Sequence, residues 1–156
     1  MPQLPENLIH LLHEYPVLAM QPVQWGELDL AYHVNNTVHA RWSETGRIAY
    51  YLEFEPETFT QSTPAQGPIL AKLKIKYIAP VFFPDRIWIG TRVVDIEEDR
   101  FSMETLLVSE QRVQVCALAR ATMVNYDYQQ LAKCPMPADF AERVQRFEKA
   151  QLAQRQ

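Results

Sequence analysis

Between residues 69 and 126 the chain changes from helical to strand periodicity, and that run constrains the fold more than any other feature. Residues 69–78 (ILAKLKIKYI) alternate strictly, with Ala71, Leu73, Ile75 and Tyr77 on one face and Lys72, Lys74 and Lys76 on the other. Successive side chains of a strand point to opposite faces, so the pattern belongs to a strand with one buried side. Pro80 and Pro84 bracket VFF and imply a bend before the next strand. Residues 86–97, 101–109 and 113–126 supply three more strands, and the short polar turns EEDR and EQR between them imply antiparallel hairpins.

Upstream the period is that of a helix. In residues 36–53 (NTVHARWSETGRIAYYLE), Val38, Trp42, Thr45, Ala49 and Leu52 follow the three-to-four spacing of one buried face. Asn35 or Asn36 suits the N-cap, since a short amide accepts from the free backbone N–H groups of the first turn. A strand is expected at 18–25, a short amphipathic helix at 6–15 stopped by Pro16, and a last helix at 137–150 opening on Pro137 with Phe140, Val144 and Phe147 on one face. Residues 56–68, rich in Pro, Thr and Gln, form a loop. A run of strands with one dominant helix is α+β rather than alternating α/β. One antiparallel sheet must bury a face, and the simplest solution wraps it around the long helix. The 156 residues fit a single domain spanning 1–156, with its core at about 18–133.

Composition narrows the function. The chain has 4 glycines, no two within six residues of each other, so neither GxGxxG nor GxxxxGK[ST] can be drawn. Gly46, mid-helix, costs about 1 kcal/mol against alanine, a cost that close packing against another backbone would offset. Gly26 marks the turn into the acidic loop that follows it. A net charge of -4 argues against bulk attraction to nucleic acid or anionic membrane. No apolar run reaches the about 18 residues needed to span a bilayer. The first residues lack the basic stretch of a signal peptide, and two cysteines, Cys116 and Cys134, without metal-ligand spacing fit a reducing cytosol. A cytoplasmic location is therefore expected. His10 and His13 lack a carboxylate or thiol cluster beside them, so no metal and no cofactor are expected.

The chemistry concentrates in Glu27-Leu28-Asp29-Leu30-Ala31-Tyr32-His33-Val34-Asn35-Asn36, which leads straight into the long helix. A helix N-terminus offers free N–H donors and partial positive charge, which can stabilise a developing oxyanion. A carboxylate a few residues upstream can act there as a nucleophile or as base for water. That pairing suits hydrolysis of an activated acyl group, although the same residue types also cap helices and turn loops without any chemistry.

The segment D-x-x-x-H-V-N-N, followed by a helix carrying E-x-x-R, resembles the hotdog-fold acyl-CoA thioesterases, particularly the 4-hydroxybenzoyl-CoA thioesterase-like group. Asp29, His33, Val34, Asn35, Asn36, Glu44 and Arg47 carry the likeness. Tyr77-Ile78-Ala79-Pro80, Pro84-Asp85 and the proline-rich exit at Pro135 and Pro137 extend it over roughly residues 19–140. The resemblance implies a five-stranded antiparallel sheet wrapped round the long helix, with short terminal helices. It also implies a homodimer, possibly a tetramer, whose two sheets join and whose sites lie at the subunit interface. By this likeness Asp29 attacks the thioester carbonyl or activates water. The Asn36 N–H, with Asn35 nearby, polarises the carbonyl, and His33 shapes the loop, a general-base role being its alternative. The family usually has glycine where this chain has Tyr32, whose ring is expected to fill or narrow the acyl end of the site. Ala31 stands where some acyl-carrier thioesterases have asparagine.

Glu44 is the rival acid, because a second hotdog group uses a helix glutamate. It lies about 12 Å along the helix axis from Asn36 and could serve only a partner's helix N-terminus. Its plain reading is an ion pair with Arg47 or Arg41. The carrier, CoA or acyl-carrier protein, is anionic, so Lys72, Lys74, Lys76 and Arg86 are candidate contacts; a solvated sheet face is the plainer reading of the lysines. Two further classes stand beside the thioesterase: a non-catalytic acyl-CoA-binding protein, and a dehydratase acting on 3-hydroxyacyl thioesters.

Overall fold

The helical-period segment forms one long helix, and the strand-period segments curl around it in a single antiparallel sheet. The computed structural model describes residues 3–57 and 65–155. Of the loop expected at 56–68, residues 58–64 lie outside the described residues. The elements are α1 (Ile9–Leu12, preceded by a 3-10 turn at Glu6–Leu8), β1 (Val17–Pro22), α2 (Asn36–Phe54), β2 (Gln66–Tyr77), β3 (Arg86–Ile96), β4 (Arg100–Ser109), β5 (Gln114–Asp127), β6 (Ala132–Lys133) and α3 (Phe140–Ala153). The strand order is β1-β3-β4-β5-β2, with the two-residue β6 pairing with the end of β5. Register runs from Val17↔Thr91 to Pro22↔Arg86 on one side and from Gln66↔Asp127 to Tyr77↔Ala117 on the other. This is the α+β hotdog arrangement that the resemblance implies.

Several boundaries differ from expectation for local reasons. β1 stops at Pro22 rather than residue 25, because the chain enters a 3-10 turn at Trp25–Glu27 whose Glu27 carboxylate accepts from Gln24 N at 2.8 Å. The first helix is shorter than 6–15, breaking after Leu12 into a turn closed by Tyr15 N on Leu12 O. α3 opens at Phe140 rather than Pro137: Phe140 N closes a single turn on Pro137 O, and the helix continues only beyond it.

The buried face of α2 is rotated from the expected stripe. It carries Val38, His39, Trp42, Ser43, Gly46, Arg47 and Tyr50, while Thr45 and Ala49 are half-buried and Leu52 is exposed. Gly46 explains the rotation. A Cβ there would lie 2.4 Å from Thr91 Oγ1 and 2.7 Å from Ile89 Cγ2, so the helix comes closest to the sheet at this residue. Its neighbours are side chains of β3 and β4, not the backbone expected from sequence. Trp42, Ser43 and Tyr50, a turn before and after Gly46 on the same face, are buried with it, as is Arg47 beside it. Gly26, by contrast, would meet nothing within 4 Å if it gained a Cβ, so no close contact demands it.

The sheet buries both faces of its β1–β3–β4 half. On the concave side Val38, Trp42, Ile87, Ile89, Leu107 and Ala117 pack together. On the convex side Leu8, Leu12 and Tyr15 cover Leu18, Trp88 and Val108. Gly90 accommodates that cover, since a Cβ would stand 2.7 Å from the Tyr15 ring. Below it Glu104 is buried and satisfied: it accepts from the Tyr15 hydroxyl at 3.0 Å and pairs with Arg92 at 2.8 Å. At the far end of α3, Arg155 Nη1 donates to Tyr15 O at 2.6 Å, clasping α3 to the segment that leads into β1. Among the described residues, no helix is long and apolar enough to cross a membrane.

Candidate active site

The acidic loop between β1 and α2 is pinched by an isolated antiparallel bridge between Leu28 and Val34. Inside it, Asp29 N donates to His33 O at 2.8 Å and Tyr32 N to Asp29 O at 3.0 Å. The Asp29 carboxylate folds back over the loop, with Oδ1 accepting from Ala31 N at 2.7 Å. No protein donor reaches Oδ2 among the described residues, and the side chain is exposed. This compact turn requires a left-handed residue at position 32, where Tyr32 has φ +58°. L-residues with a Cβ are disfavoured there and glycine is not, which gives a physical reason for the glycine expected at this point. The Tyr32 ring, 69% exposed, projects to solvent.

The start of α2 is capped by its own sequence. Asn35 Oδ1 accepts from Thr37 N and Thr37 Oγ1, both at 2.9 Å, and Val38 N bonds to Asn35 O at 3.0 Å. The Asn36 N–H is left as the first-turn donor without a protein acceptor among the described residues. Asn36 itself lines a recess of about 310 Å³, with Asp29, His33, Val34 and His39 beside it and residues 77–81 on the other side. Val34 N bonds to Val81 O at 2.9 Å, tying the two walls together, and Ile78 N and Ala79 N both donate to Cys116 O. The Tyr77 hydroxyl donates to Asn36 O at 3.1 Å.

Sequence reasoning gave His39 no role. It is 4% exposed, held between the rings of Trp42 at 5.3 Å and Tyr77 at 5.2 Å, and it lines the recess. Nδ1 lies 3.3 Å from Asn35 O. A carbonyl only accepts, so Nδ1 carries the proton and Nε2 is left as an acceptor. Burial holds the imidazole below the usual histidine value, favouring the neutral ring. Arg112 was also passed over. Its guanidinium lies 4.2 Å from the centre of the Phe82 ring, which meets His33 edge-on at 4.9 Å, so a cation-bearing stack leads from the β4–β5 turn to the rim.

The structure thus brings Asp29, His33 and Asn36 to one recess, with Asn35 as the cap that frees the Asn36 donor. The other expected residues lie elsewhere in the single chain. Glu44 is exposed and makes no ion pair within 4.0 Å among the described residues. Its expected partner Arg47 is buried instead, donating to Ser43 Oγ at 2.9 Å. Lys72, Lys74 and Lys76 are exposed on the side of β2 opposite the core-packed Leu73 and Ile75, and none lines the recess. Arg86 pairs with Glu110, which also accepts from Trp88 Nε1 at 2.7 Å.

Comparison with known proteins gives a consistent picture. The family described as the thioesterase-like superfamily has a model that matches residues 23–144. A thioesterase from Thermus thermophilus, solved with coenzyme A and Zn, superposes with a TM-score of 0.73 at 23% identity, covering 87% of this chain and 97% of that one. A thioesterase-superfamily protein from a Jannaschia species reaches a TM-score of 0.79 at 19% identity, over 96% of this chain and 98% of the other. A gentisyl-coenzyme A thioesterase reaches 0.69 at 19% identity, over 84% and 98%. Among curated proteins, none matches the chain by sequence.

Proposed function

The chain belongs to the thioesterase-like superfamily, and on that premise we propose that it hydrolyses an acyl-CoA thioester to the free acid and CoA. One observation carries the proposal: Asp29 and Asn36, whose backbone N–H has no protein acceptor among the described residues, line the same recess. The thioester oxygen accepts from Asn36 N–H at the positive end of α2, where developing negative charge is stabilised. Asp29, with Oδ2 free, attacks the acyl carbon or draws a proton from water. The likeness to a thioesterase solved with coenzyme A supports CoA as the carrier.

The reading includes a homodimer. β2 is an edge strand of 12 residues, with Ile69, Leu70, Tyr77 and Ile78 exposed at or just beyond it, and a second copy pairing along it would cover them. Tyr77 and Ile78 also wall the recess, so the pairing would close the site between two chains. In that assembly Tyr32, Lys72, Lys74, Lys76 and Arg86 are candidate substrate contacts, and Glu44 is the acid that would act from the partner if Asp29 did not.

Free-thiol release from a panel of acyl-CoAs tests the reading. Asp29→Asn is expected to lower turnover by about 100-fold or more while leaving the circular dichroism spectrum and thermal midpoint intact. Wild-type turnover in that variant would discard Asp29 and promote Glu44. Binding without thiol release by the wild type would favour the non-catalytic alternative.

A further inference from the structure

Resting on the thioesterase reading above, we propose that His39 is a catalytic residue, its Nε2 taking the proton of the water that becomes part of the product acid. The geometry fixes which nitrogen is available. Asn35 O belongs to the helix cap and accepts from Nδ1, while Trp42 and Tyr77 hold the ring between them. Nε2 has no protein partner among the described residues, and the ring lines the same recess as Asp29 and the Asn36 donor. A buried neutral imidazole with one nitrogen committed and the other free toward an acyl site is equipped to receive a proton.

Three other titratable side chains line the recess with this ring: Asp29 and His33 from the loop, and Tyr77 from β2, which alone is in ring contact with it. Tyr77 is already donating to Asn36 O. His33 is less buried than His39, and its ring is engaged edge-on with Phe82. Glu44 and Arg47 of α2 do not line the recess. His39 is therefore the enclosed base of the set.

The step balances in either order of attack. If water attacks directly, His39 takes the base role in place of Asp29: one O–H bond breaks toward Nε2 as the C–O bond forms, the Asp29 carboxylate accepts from the water's other O–H and orients it, and the carbonyl electrons move to the oxygen facing Asn36 N–H. Collapse restores the carbonyl, breaks the C–S bond, and returns the proton from Nε2 to the thiolate. If Asp29 attacks first, the C–S bond breaks in that step. His39 then takes the proton of the water that cleaves the acyl–Asp29 anhydride, the acyl C–O bond to Asp29 breaks and restores its carboxylate, and the proton passes from Nε2 to the CoA thiolate. Nothing is oxidised or reduced.

Burial keeps His39 neutral to below 6.5, so the wild-type kcat is expected to fall on the acid side below that value, as the ring protonates. The test uses His39→Gln, which keeps an acceptor but cannot take a proton, and His39→Phe, which keeps the ring between Trp42 and Tyr77. Each is measured for kcat, KM and kcat against pH, with the acyl-CoA that the wild type turns over best. We expect kcat to fall about 100- to 1,000-fold in either variant, with KM changed little and the histidine limb missing from the residual activity. Either folded variant keeping wild-type kcat with the same acid limb overturns the proposal, and one folded variant is enough to decide it. Failure of this inference is distinguishable from failure of the underlying reading. If Asp29→Asn abolishes thiol release while a His39 variant does not, only the role of His39 falls. If the wild type releases no thiol from any acyl-CoA, both fall together.

Discussion

Position 32 shows how a single backbone angle links sequence to site. Tyr32 sits at φ +58° in the turn that folds Asp29 back onto Ala31 N, with its ring in solvent. Replacing it with glycine removes the left-handed penalty and sacrifices little packing. Tyr32→Gly is expected to stabilise the fold by about 0.5–1 kcal/mol, the penalty for a Cβ being partly offset by glycine's greater freedom when unfolded. Urea titration checks this, and a loss of stability would mean that the ring is covered, as by a second chain. Asp29, Asn35 and Asn36 were legible in the sequence because their work is local: a loop, a cap and a first helical turn within eight residues. His39 was not: Asn35 and Trp42 are local neighbours, but Tyr77, on its other side, comes from β2. What makes it a candidate base is a recess walled by Tyr77 and the residues after it, contacts that no short-range pattern carries.

At the scale of elements, periodicity identified all the long strands and the long helix, while their ends and faces depended on packing. The stripe of Val38, Trp42, Thr45, Ala49 and Leu52 was drawn from apolar residues alone. The structure centres it on Gly46 and buries His39, Ser43 and Arg47, because the closest approach of helix to sheet outweighs the polarity of a few side chains. The seat of α3 likewise depends on a polar group. Glu148 Oε1 accepts from the Tyr50 hydroxyl at 2.9 Å and from Val93 N at 2.8 Å, where β3 loses register with β4, and so joins α3, α2 and β3. Burial raises its pKa above the ordinary 4.5. A raised carboxylate contributes stability that is complete below 4.5 and is lost as pH rises through the folded-state value. Glu148→Gln keeps the same acceptor oxygen without the charge. It is expected to raise the thermal midpoint at pH 7 and to flatten its dependence on pH above 4.5, which calorimetry across that range would detect. A lower midpoint at pH 7 would show that the charge itself holds the joint.

For the whole molecule, the two edges of the sheet are unlike. The open β2 edge predicts sedimentation at twice the 18.2 kDa of the chain. Ile69→Glu combined with Leu70→Glu should shift the protein to monomer and reduce turnover, since the recess wall at Tyr77 and Ile78 would lose its cover. An unchanged sedimentation coefficient in that double variant would move the interface elsewhere. The opposite edge is blunted. β1 has six residues, follows Pro16 and ends on Pro22, and the Arg155 clasp to Tyr15 O lies just before its first residue. Proline and short length make an edge a poor template for another strand. With one edge receptive and the other refused, strand addition between copies would end after a single event. In the proposed dimer two copies would satisfy each other and leave no end from which a filament could grow, so the blunted β1 edge would guard against runaway polymerisation.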